Sequence, residues 1–223
     1  MKIIGHRGAA GLAPENTLAS FQKALQHNVA EIECDAHITA DGVVVLAHDP
    51  VLHVPGGKKY VINAHTYEQL LHYKPDLTTL KAAVALVNRR VPIMIEVKPN
   101  VPVQPILDYI RAMRRDGWAT ADLVMASESY RILKTARQQL PDLELSFVEQ
   151  WSGIRASWVA RRLAIKRLSM NYRPLWGGFN RLMIRRGYII SAYTVNKPRI
   201  ARRLARSGVQ AIFTDYPDLF KSK

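Results

Sequence analysis

The sequence predicts a (β/α)8 barrel that carries an extra hairpin strand near its mouth. Eight short apolar segments alternate with helical patterns along 223 residues, a length that suits one α/β domain. Polar side chains follow nearly every one of these segments, and a barrel gathers the carboxyl ends of its strands around one active site. An open doubly wound sheet is the alternative fold, but the number of strands favours the barrel.

The first strand leads into Gly5-His6-Arg7-Gly8, where two glycines flank a titratable base and a permanent cation. A rigid strand that ends in such a pair is typical of a functional site rather than of a core. The apolar positions between 18 and 25 then share one face of a helix, which Asn16 or Thr17 can cap. This part of the chain therefore reads as strand, loop and helix.

The second strand is predicted at 31–38, with Glu33 and Asp35 on one face. Their charges repel unless a cation lies between them, and a central strand of a parallel sheet leaves little room for an exposed acidic face. A tight turn at 41–42 starts the extra strand, which ends at His48. This strand is expected to form an arm at the mouth that carries His48 over the site.

The later elements continue the alternation, and the next strand ends with Glu96 and Lys98 on one face. The remaining barrel strands are predicted at 92–99, 123–127, 143–148, 167–171, 189–196 and 211–215. Helices are predicted at about 66–71, 79–88, 105–115, 130–140, 156–166, 180–186 and 198–207. Between 51 and 80 the chain is otherwise expected to be irregular, with a loop at 55–59.

Composition narrows the class of protein. The single Cys34 cannot form an intramolecular disulfide, which fits a reducing compartment. No run of 18 or more apolar residues predicts a membrane span, and Met1 leads directly into a strand rather than into a secretory leader. We therefore expect a cytoplasmic protein whose residues 1–223 form a single domain.

The formal net charge is +14, and it is unevenly distributed. The segment 151–214 contains no Asp or Glu, while Arg and Lys recur throughout it. Such a field attracts phosphate-bearing partners, which include nucleic acids, anionic lipids and small phosphoesters, although a solvated basic surface without any partner is an equal alternative. A specific nucleic-acid binder is not expected, because no recognition motif accompanies the charge.

The strand ends together offer seven side chains that suit one chemical task. They are His6, Arg7, Glu33, Asp35, His48, Glu96 and Lys98. Three carboxylates without a cysteine favour a hard cation, Mg²⁺ or Ca²⁺. Two histidines supply a general acid and a general base near neutral pH, and the two basic side chains can hold a phosphate oxygen. The set predicts a site that breaks a phosphodiester.

An ordered series of motifs then resembles one known family, the glycerophosphodiester phosphodiesterases. The motifs cover nearly the whole chain: Gly5-His6-Arg7-Gly8, Pro14-Glu15-Asn16-Thr17, Glu33-x-Asp35, Thr39-x-Asp41-Gly42, His48-Asp49, Glu96-x-Lys98, Tyr193-Thr194-Val195-Asn196 and Thr214-Asp215-Tyr216-Pro217. Each motif alone is weakly specific, and the specificity comes from their order and spacing.

The resemblance implies a (β/α)8 enzyme that hydrolyses glycerophosphodiesters to glycerol 3-phosphate and an alcohol with one divalent cation. It implies that His6 and His48 are the acid and base. The metal ligands that it implies are Glu33, Asp35 and Glu96, and the phosphate contacts are Arg7 and Lys98. By the same pattern Glu15 either orients Arg7 or touches the metal. Tyr193 stands where the family carries a tryptophan, so the part of the site that grips the alcohol is expected to differ.

Two other functions remain open at this point. One is a lysophospholipase D-like activity on lipid head groups, and the other is a non-catalytic barrel that binds phosphate or lipid. Trp151, Trp158 and Trp176 would suit a membrane surface, but tryptophans are more often packed, so we expect these to be partly buried.

A predicted basic helix at 156–166 and its flanks offer a possible contact with anionic membrane. Trp158 and Ile165 are expected to face the barrel. The cations expected to face outward are Arg155, Arg161, Arg162, Lys166 and Arg167.

Overall fold

A closed barrel of parallel strands forms the centre of the molecule and confirms the predicted fold. The structure is a computed structural model that describes residues 1–54 and 56–220. Within this part of the chain the strands are β1 (Lys2–Gly5), β2 (Glu31–Ile38), β3 (Val44–Leu46), β4 (Val51–His53), β5 (Lys59–Val61), β6 (Ile93–Val97), β7 (Leu123–Ser127), β8 (Glu144–Glu149), β9 (Arg167–Asn171), β10 (Ile189–Tyr193) and β11 (Ala211–Thr214). The eight barrel strands follow one another in chain order, and β1 closes the ring by pairing with both β2 and β11.

Helices surround the barrel at the predicted places. They are α1 (Leu18–Gln26), α2 (Tyr67–Tyr73), α3 (Leu80–Val87), α4 (Gln104–Arg115), α5 (Tyr130–Gln139), α6 (Gly153–Arg162), α7 (Gly177–Arg185) and α8 (Pro198–Arg206). Short 3₁₀ turns occur at Ile62–Ala64, Thr120–Asp122 and Pro217–Phe220. None of the helices in the described ranges is long and apolar enough to cross a membrane.

The apolar residues form two layers, as the alternation of side chains along each strand requires. Outward-facing strand residues such as Ile95 pack against the helices in the larger layer. A small cluster that includes Ile4, Met94, Val124 and Phe213 fills the inside of the barrel. The polar side chains at the strand ends can lie directly above this inner cluster.

The extra strand β3 pairs antiparallel with the end of β2, as expected, and it forms a hairpin across the turn at 39–43. The prediction of irregular chain after it was partly wrong, because β4 and β5 form a second antiparallel hairpin. Leu52 on β4 is buried in a satellite core beside the barrel, which stabilises this short ribbon. Pro55, which belongs to the predicted loop, lies outside the described residues.

Three details of the outer layer correct the sequence-based expectations. Leu18 on α1 is exposed, although it was assigned to the packed face. Helix α6 begins and ends earlier than predicted, because Ser152 caps its N-terminus and Ala164 takes a positive φ just after it. Ile165 is buried beyond its end, while Trp158 points to solvent rather than to the barrel.

The other two tryptophans were also wrongly expected to be partly buried. Trp151 and Trp176 are both largely exposed. Arg167, assigned to the outward basic set, instead donates two hydrogen bonds to the carboxylate of Glu31, at 2.7 and 2.8 Å. Glu31 starts β2 and Arg167 starts β9, so this ion pair spans the amino-terminal end of the barrel.

Candidate active site

A cavity of about 650 Å³ opens at the carboxyl ends of the barrel strands, the end that we call the mouth. All seven side chains predicted from the strand ends line it. They are His6, Arg7, Glu33, Asp35, His48, Glu96 and Lys98. Strands β1, β2 and β6 and the connection after β3 contribute these residues, so one cavity collects groups that lie up to 92 positions apart in the sequence.

The turn after β1 presents His6 and Arg7 for a steric reason. Gly8 has a φ of +85° and packs against α1, where an added Cβ would lie 2.4 Å from the hydroxyl of Ser20. Only glycine allows both this conformation and this close approach. Arg7 also has a positive φ, and its backbone N–H donates a 2.9 Å hydrogen bond to Oε2 of Glu33. The turn is therefore tied to the acidic strand next to it.

His6 is held by a residue from the last strand end. Its Nδ1 lies 2.6 Å from Oδ1 of Asp215, and Asn196 donates a 2.6 Å hydrogen bond to the other carboxylate oxygen. The Thr214 hydroxyl donates a 3.0 Å hydrogen bond to Oδ1 of the Asn196 side chain. Because Nδ1 is engaged in this way, Nε2 is the ring nitrogen left to exchange a proton with a substrate.

The three carboxylates predicted as metal ligands lie together. Glu33, Asp35 and Glu96 each place one oxygen within 4.8 Å of the others. Asp35 and Glu96 are direct neighbours in the parallel register of β2 and β6, and Glu33 shares the inner face of β2 with Asp35. Their proximity follows from strand period and register.

Two cationic side chains, Lys98 and Arg7, partly neutralise this cluster. Nζ of Lys98 lies 2.6 Å from both Asp35 and Glu96. The Arg7 guanidinium donates a 2.7 Å hydrogen bond to Glu15, and its Nε lies 3.3 Å from Asp35. Glu15 therefore contacts Arg7, and it is not one of the three residues of the carboxylate cluster.

Burial and charge separate the pKa values of the three acids. Burial raises the pKa of Glu33 to about 8, and the nearby charge of Asp35 adds to that effect. Burial also raises the pKa of Glu96, against the opposing charge of Lys98. For Asp35 burial is outweighed by Lys98 and Arg7, so its pKa is lowered. Asp35 is therefore the acid whose charge the protein itself compensates.

The donor set fits a divalent cation. Oε1 of Glu33 is buried and has no hydrogen-bond partner among the described residues, which is costly for a carboxylate oxygen unless a ligand compensates it. Three carboxylates around one point offer the oxygen ligands that Mg²⁺ and Ca²⁺ prefer. Without a cation, the raised pKa of Glu33 favours its protonated form near neutral pH.

His48 reaches the cavity from the arm that follows β3. Its Nδ1 lies 2.9 Å from Asp49, and the backbone carbonyl oxygen of His48 lies 3.3 Å from Nε2 of His37 on β2. The hairpin therefore attaches His48 to the barrel strand that carries Glu33 and Asp35. Burial lowers the pKa of His37, which suits a neutral imidazole that supports the arm.

Sequence reasoning gave no part in the site to three of its residues: Asn196, Asp215 and Asn16, which was considered only as a helix cap, a role that Thr17 takes. Asn16 is buried, donates a 3.0 Å hydrogen bond to the Asp35 carboxylate and accepts one from the Asp35 backbone. All three belong to the quoted motifs, which are the signal that could have assigned them, and Asp215 also directly follows β11, the strand that pairs with β1.

Comparison with known proteins shows the family of this chain. The family model described as "Glycerophosphoryl diester phosphodiesterase family" matches residues 6–219. The Bacillus subtilis protein YhdW is 28% identical, over 98% of this chain and 96% of its own length. A glycerophosphodiester phosphodiesterase of Bacillus altitudinis is 25% identical, over 97% of this chain and 95% of its own length.

Solved structures agree with the fold. An Oleispira antarctica phosphodiesterase, solved with its product sn-glycerol-3-phosphate, superposes with a TM-score of 0.88 at 22% identity, over 98% of this chain and 94% of its own. A Thermotoga maritima glycerophosphodiester phosphodiesterase superposes with a TM-score of 0.84 at 23% identity, over 99% and 96%. The family match spans nearly the whole chain and includes every predicted site residue. The chain is therefore an enzyme, a phosphoric diester hydrolase, and it belongs to the glycerophosphoryl diester phosphodiesterase family.

Proposed function

We propose that this enzyme hydrolyses glycerophosphodiesters to glycerol 3-phosphate and an alcohol, with a divalent cation, Mg²⁺ or Ca²⁺, and two histidines. The observation that carries the proposal is the convergence of three carboxylates, two histidines and two basic side chains in one cavity. The Oleispira relative, which binds sn-glycerol-3-phosphate as product, supports the same substrate class for this chain.

Lys98 and Arg7 bind the phosphate group in this mechanism. Each already contacts a carboxylate of the cluster, so neither side chain is free to swing away from the cavity. An ammonium has three donors, and Lys98 uses two of them on Asp35 and Glu96, which leaves one for a phosphate oxygen. The substrate phosphate is thereby held against the acidic cluster instead of being repelled by it.

Glu33, Asp35 and Glu96 would hold the cation. When bound, it supplies positive charge that offsets the negative charge growing on the phosphoryl oxygens. Asn16 keeps Asp35 in its place, because it bonds both the carboxylate and the backbone of that residue.

His6 and His48 carry the two proton transfers. One imidazole removes the proton from the attacking oxygen, which belongs to water or to a substrate hydroxyl. The other imidazole gives a proton to the alkoxide that leaves as the phosphorus–oxygen bond breaks. Asp215 is a positioning residue, since it touches His6 and stabilises the imidazolium that forms in either role.

The cavity also has an apolar side that can receive the alcohol. Its apolar lining includes Pro50, Ile62, Pro99, Val101 and Phe213. We also propose that residues 1–223 act as one barrel domain, and a cytoplasmic location stays a prediction.

The reaction is tested with a panel of glycerophosphodiesters and lysophospholipids, each incubated with and without chelator. Metal-dependent release of glycerol 3-phosphate is expected. Release of the head group from lysophospholipids alone would favour the lysophospholipase D-like alternative.

A further inference from the structure

Three exposed tryptophans lie on the mouth side of the barrel and have no part in the site described above. Trp151 is 77% exposed, Trp158 50% and Trp176 67%. Ile154, which is 86% exposed, lies between the first two. We call these four residues the tryptophan rim. The fourth tryptophan of the chain, Trp118, is buried.

The rim is one continuous feature of two neighbouring connections. Trp151 follows β8 and Trp176 follows β9, and these strands are adjacent and parallel, so both connections leave the mouth side by side. Helices α6 and α7, which start there, also touch. Gly153 packs under the Phe179 ring, where an added Cβ would lie 2.7 Å from a ring carbon.

The rim also adjoins the substrate cavity. Gln150, the residue before Trp151, lines that cavity. Trp158 lies one turn further along α6 than Ile154, and its ring centroid is 5.2 Å from that of Tyr130 at the start of α5. Trp151 therefore directly follows a residue of the cavity lining, and Trp158 lies further along the helix that comes after it.

The charge around the rim is positive. The segment 151–214 contains fourteen Arg or Lys residues and no acid, so it carries the whole formal excess of the protein. On the mouth side of this segment Arg173 and Lys197 are exposed, and neither forms an ion pair with residues 1–54 or 56–220. Arg155, in contrast, is paired with the buried Glu149 at 2.9 Å.

We propose that the tryptophan rim docks on an anionic phospholipid bilayer and turns the mouth of the barrel toward the membrane. Exposure of an indole to water is unfavourable. At the level of the lipid head groups, the apolar ring of the indole lies in an apolar environment while its polar N–H lies in a polar one. Unpaired cations beside it match the negative surface of such a bilayer. Acid-free sequence and exposed tryptophans together favour this occupant over a second copy of the same basic chain, which would be repelled.

Binding of the full chain to vesicles tests the proposal. The vesicles contain phosphatidylcholine with or without phosphatidylglycerol, and binding is followed by sedimentation at low and moderate salt. Tryptophan fluorescence gives a second readout, because the rim holds every exposed indole of the chain and Trp118 is buried. Expected results are binding to the anionic vesicles that weakens with salt, a blue shift of emission and quenching by brominated lipid.

Matched variants locate the contact. Trp151→Ala/Trp176→Ala is expected to weaken binding about tenfold or more, since it removes two large apolar side chains. Ile189→Ala, an exposed apolar residue at the opposite end of the barrel, is the control. Arg173→Gln/Lys197→Gln is expected to weaken binding about fivefold per cation. Arg185→Gln/Arg186→Gln removes the same charge at the far end of α7 and is expected to weaken binding much less.

Three outcomes would overturn the proposal. They are no binding to anionic vesicles at low salt, equal losses in the rim and control variants, and a dimer that dissociates in the tryptophan double variant. Hydrolysis of water-soluble glycerophosphocholine is measured in parallel. The rim variants are expected to retain it, because the rim side chains do not line the cavity. If the unaltered enzyme does not hydrolyse glycerophosphocholine, that result counts against the proposed function and not against the docking surface.

Discussion

His6 and Asp215 join the first and last strands of the barrel: Nδ1 of the histidine lies 2.6 Å from the aspartate, 209 residues later in the chain. The contact exists because β1 pairs with β11, with Gly5 opposite Thr214. Burial disfavours the charged imidazole, but the hydrogen bond with Asp215 and the negative charges of Glu33 and Asp215 together outweigh it, so the pKa of His6 is raised. For Asp215 burial is likewise outweighed by His6 and Asn196, and its pKa is lowered.

Replacing Asp215 with Asn should lower the pKa of His6, because the carboxylate that stabilises the imidazolium is lost. NMR titration of the His6 ring measures this shift, and a shift of the pH profile of kcat/KM is expected with it. An unchanged His6 pKa would contradict a positioning role. Asp218→Asn is a control on the same end of the chain.

The same pair makes stability depend on pH. A raised histidine pKa stabilises the fold at pH values below the ordinary histidine pKa. This stabilisation is lost as the pH rises through the folded pKa. A lowered aspartate pKa stabilises the fold at pH values above the ordinary aspartate pKa. This stabilisation is lost as the pH falls through the folded pKa. The loss in free energy of unfolding caused by Asp215→Asn should therefore be largest between about pH 4 and 6.5 and smaller at pH 9. Urea unfolding at pH 5.5 and 9 measures the difference, and equal costs at both values would refute it.

His6→Ala and His48→Ala should each lower turnover about 10²–10⁴-fold, the usual contribution of a general acid or base. The folded state should persist in both, because neither side chain belongs to an apolar core. Circular dichroism checks the fold and single-turnover kinetics checks the chemistry. His53→Ala, on the exposed β4 hairpin, is the matched control and should retain activity. Near-normal turnover in folded His6→Ala would exclude it as acid or base.

Glu33→Gln should weaken divalent cation binding by at least about 10–100-fold. That is the loss seen when a residue that only hydrogen-bonds a metal ligand is removed, so it is a lower bound for a ligand itself. The buried Oε1 of Glu33 lacks any partner among the described residues, so this is the oxygen that gains most from a cation. Isothermal titration with Mg²⁺ and Ca²⁺ measures the affinity. The exposed Glu68→Gln is the control, and equal affinities in the two variants would remove Glu33 from the ligand set.

Arg167→Met should destabilise the fold by about 3 kcal/mol near neutral pH, because it leaves the buried Glu31 without its partner. Burial already raises the pKa of Glu31 against the opposing charge of Arg167. Without the arginine this pKa rises further, so the cost should be small at acid pH and should grow as the pH rises through the folded pKa that Glu31 has in the unaltered protein. Denaturant unfolding measures it. A second change, Glu31→Gln, should recover most of the loss, and no recovery would mean that packing rather than charge is responsible.

Much of the fold could be predicted because its signals are local. Alternation along β2 puts Glu33 and Asp35 on one face, and the strand of Glu96 repeats the design. A parallel barrel then has to gather these ends. The bounds of β7 and β9 agree with prediction to the residue.

Other features depend on contacts that no local pattern carries. Asp215 meets His6 only because the ring closes between the first and last strands, and Asn16 meets Asp35 only through a loop with positive φ. The apolar residues of α6 were assigned to one buried face, but the buried face consists of Ala156, Val159 and Ala160, and Trp158 points outward. Helical spacing alone cannot distinguish the two faces when both carry apolar residues.

The central claim is that the carboxylate cluster and the histidines act through a divalent cation on a glycerophosphodiester. Phosphorus NMR of glycerophosphocholine, incubated with exhaustively chelated enzyme before and after Mg²⁺ or Ca²⁺ is restored, tests it most directly. The account predicts no turnover in the chelated enzyme and a growing glycerol 3-phosphate signal after one of the cations returns. Full activity in the chelated enzyme, or phosphocholine as the product, would contradict it.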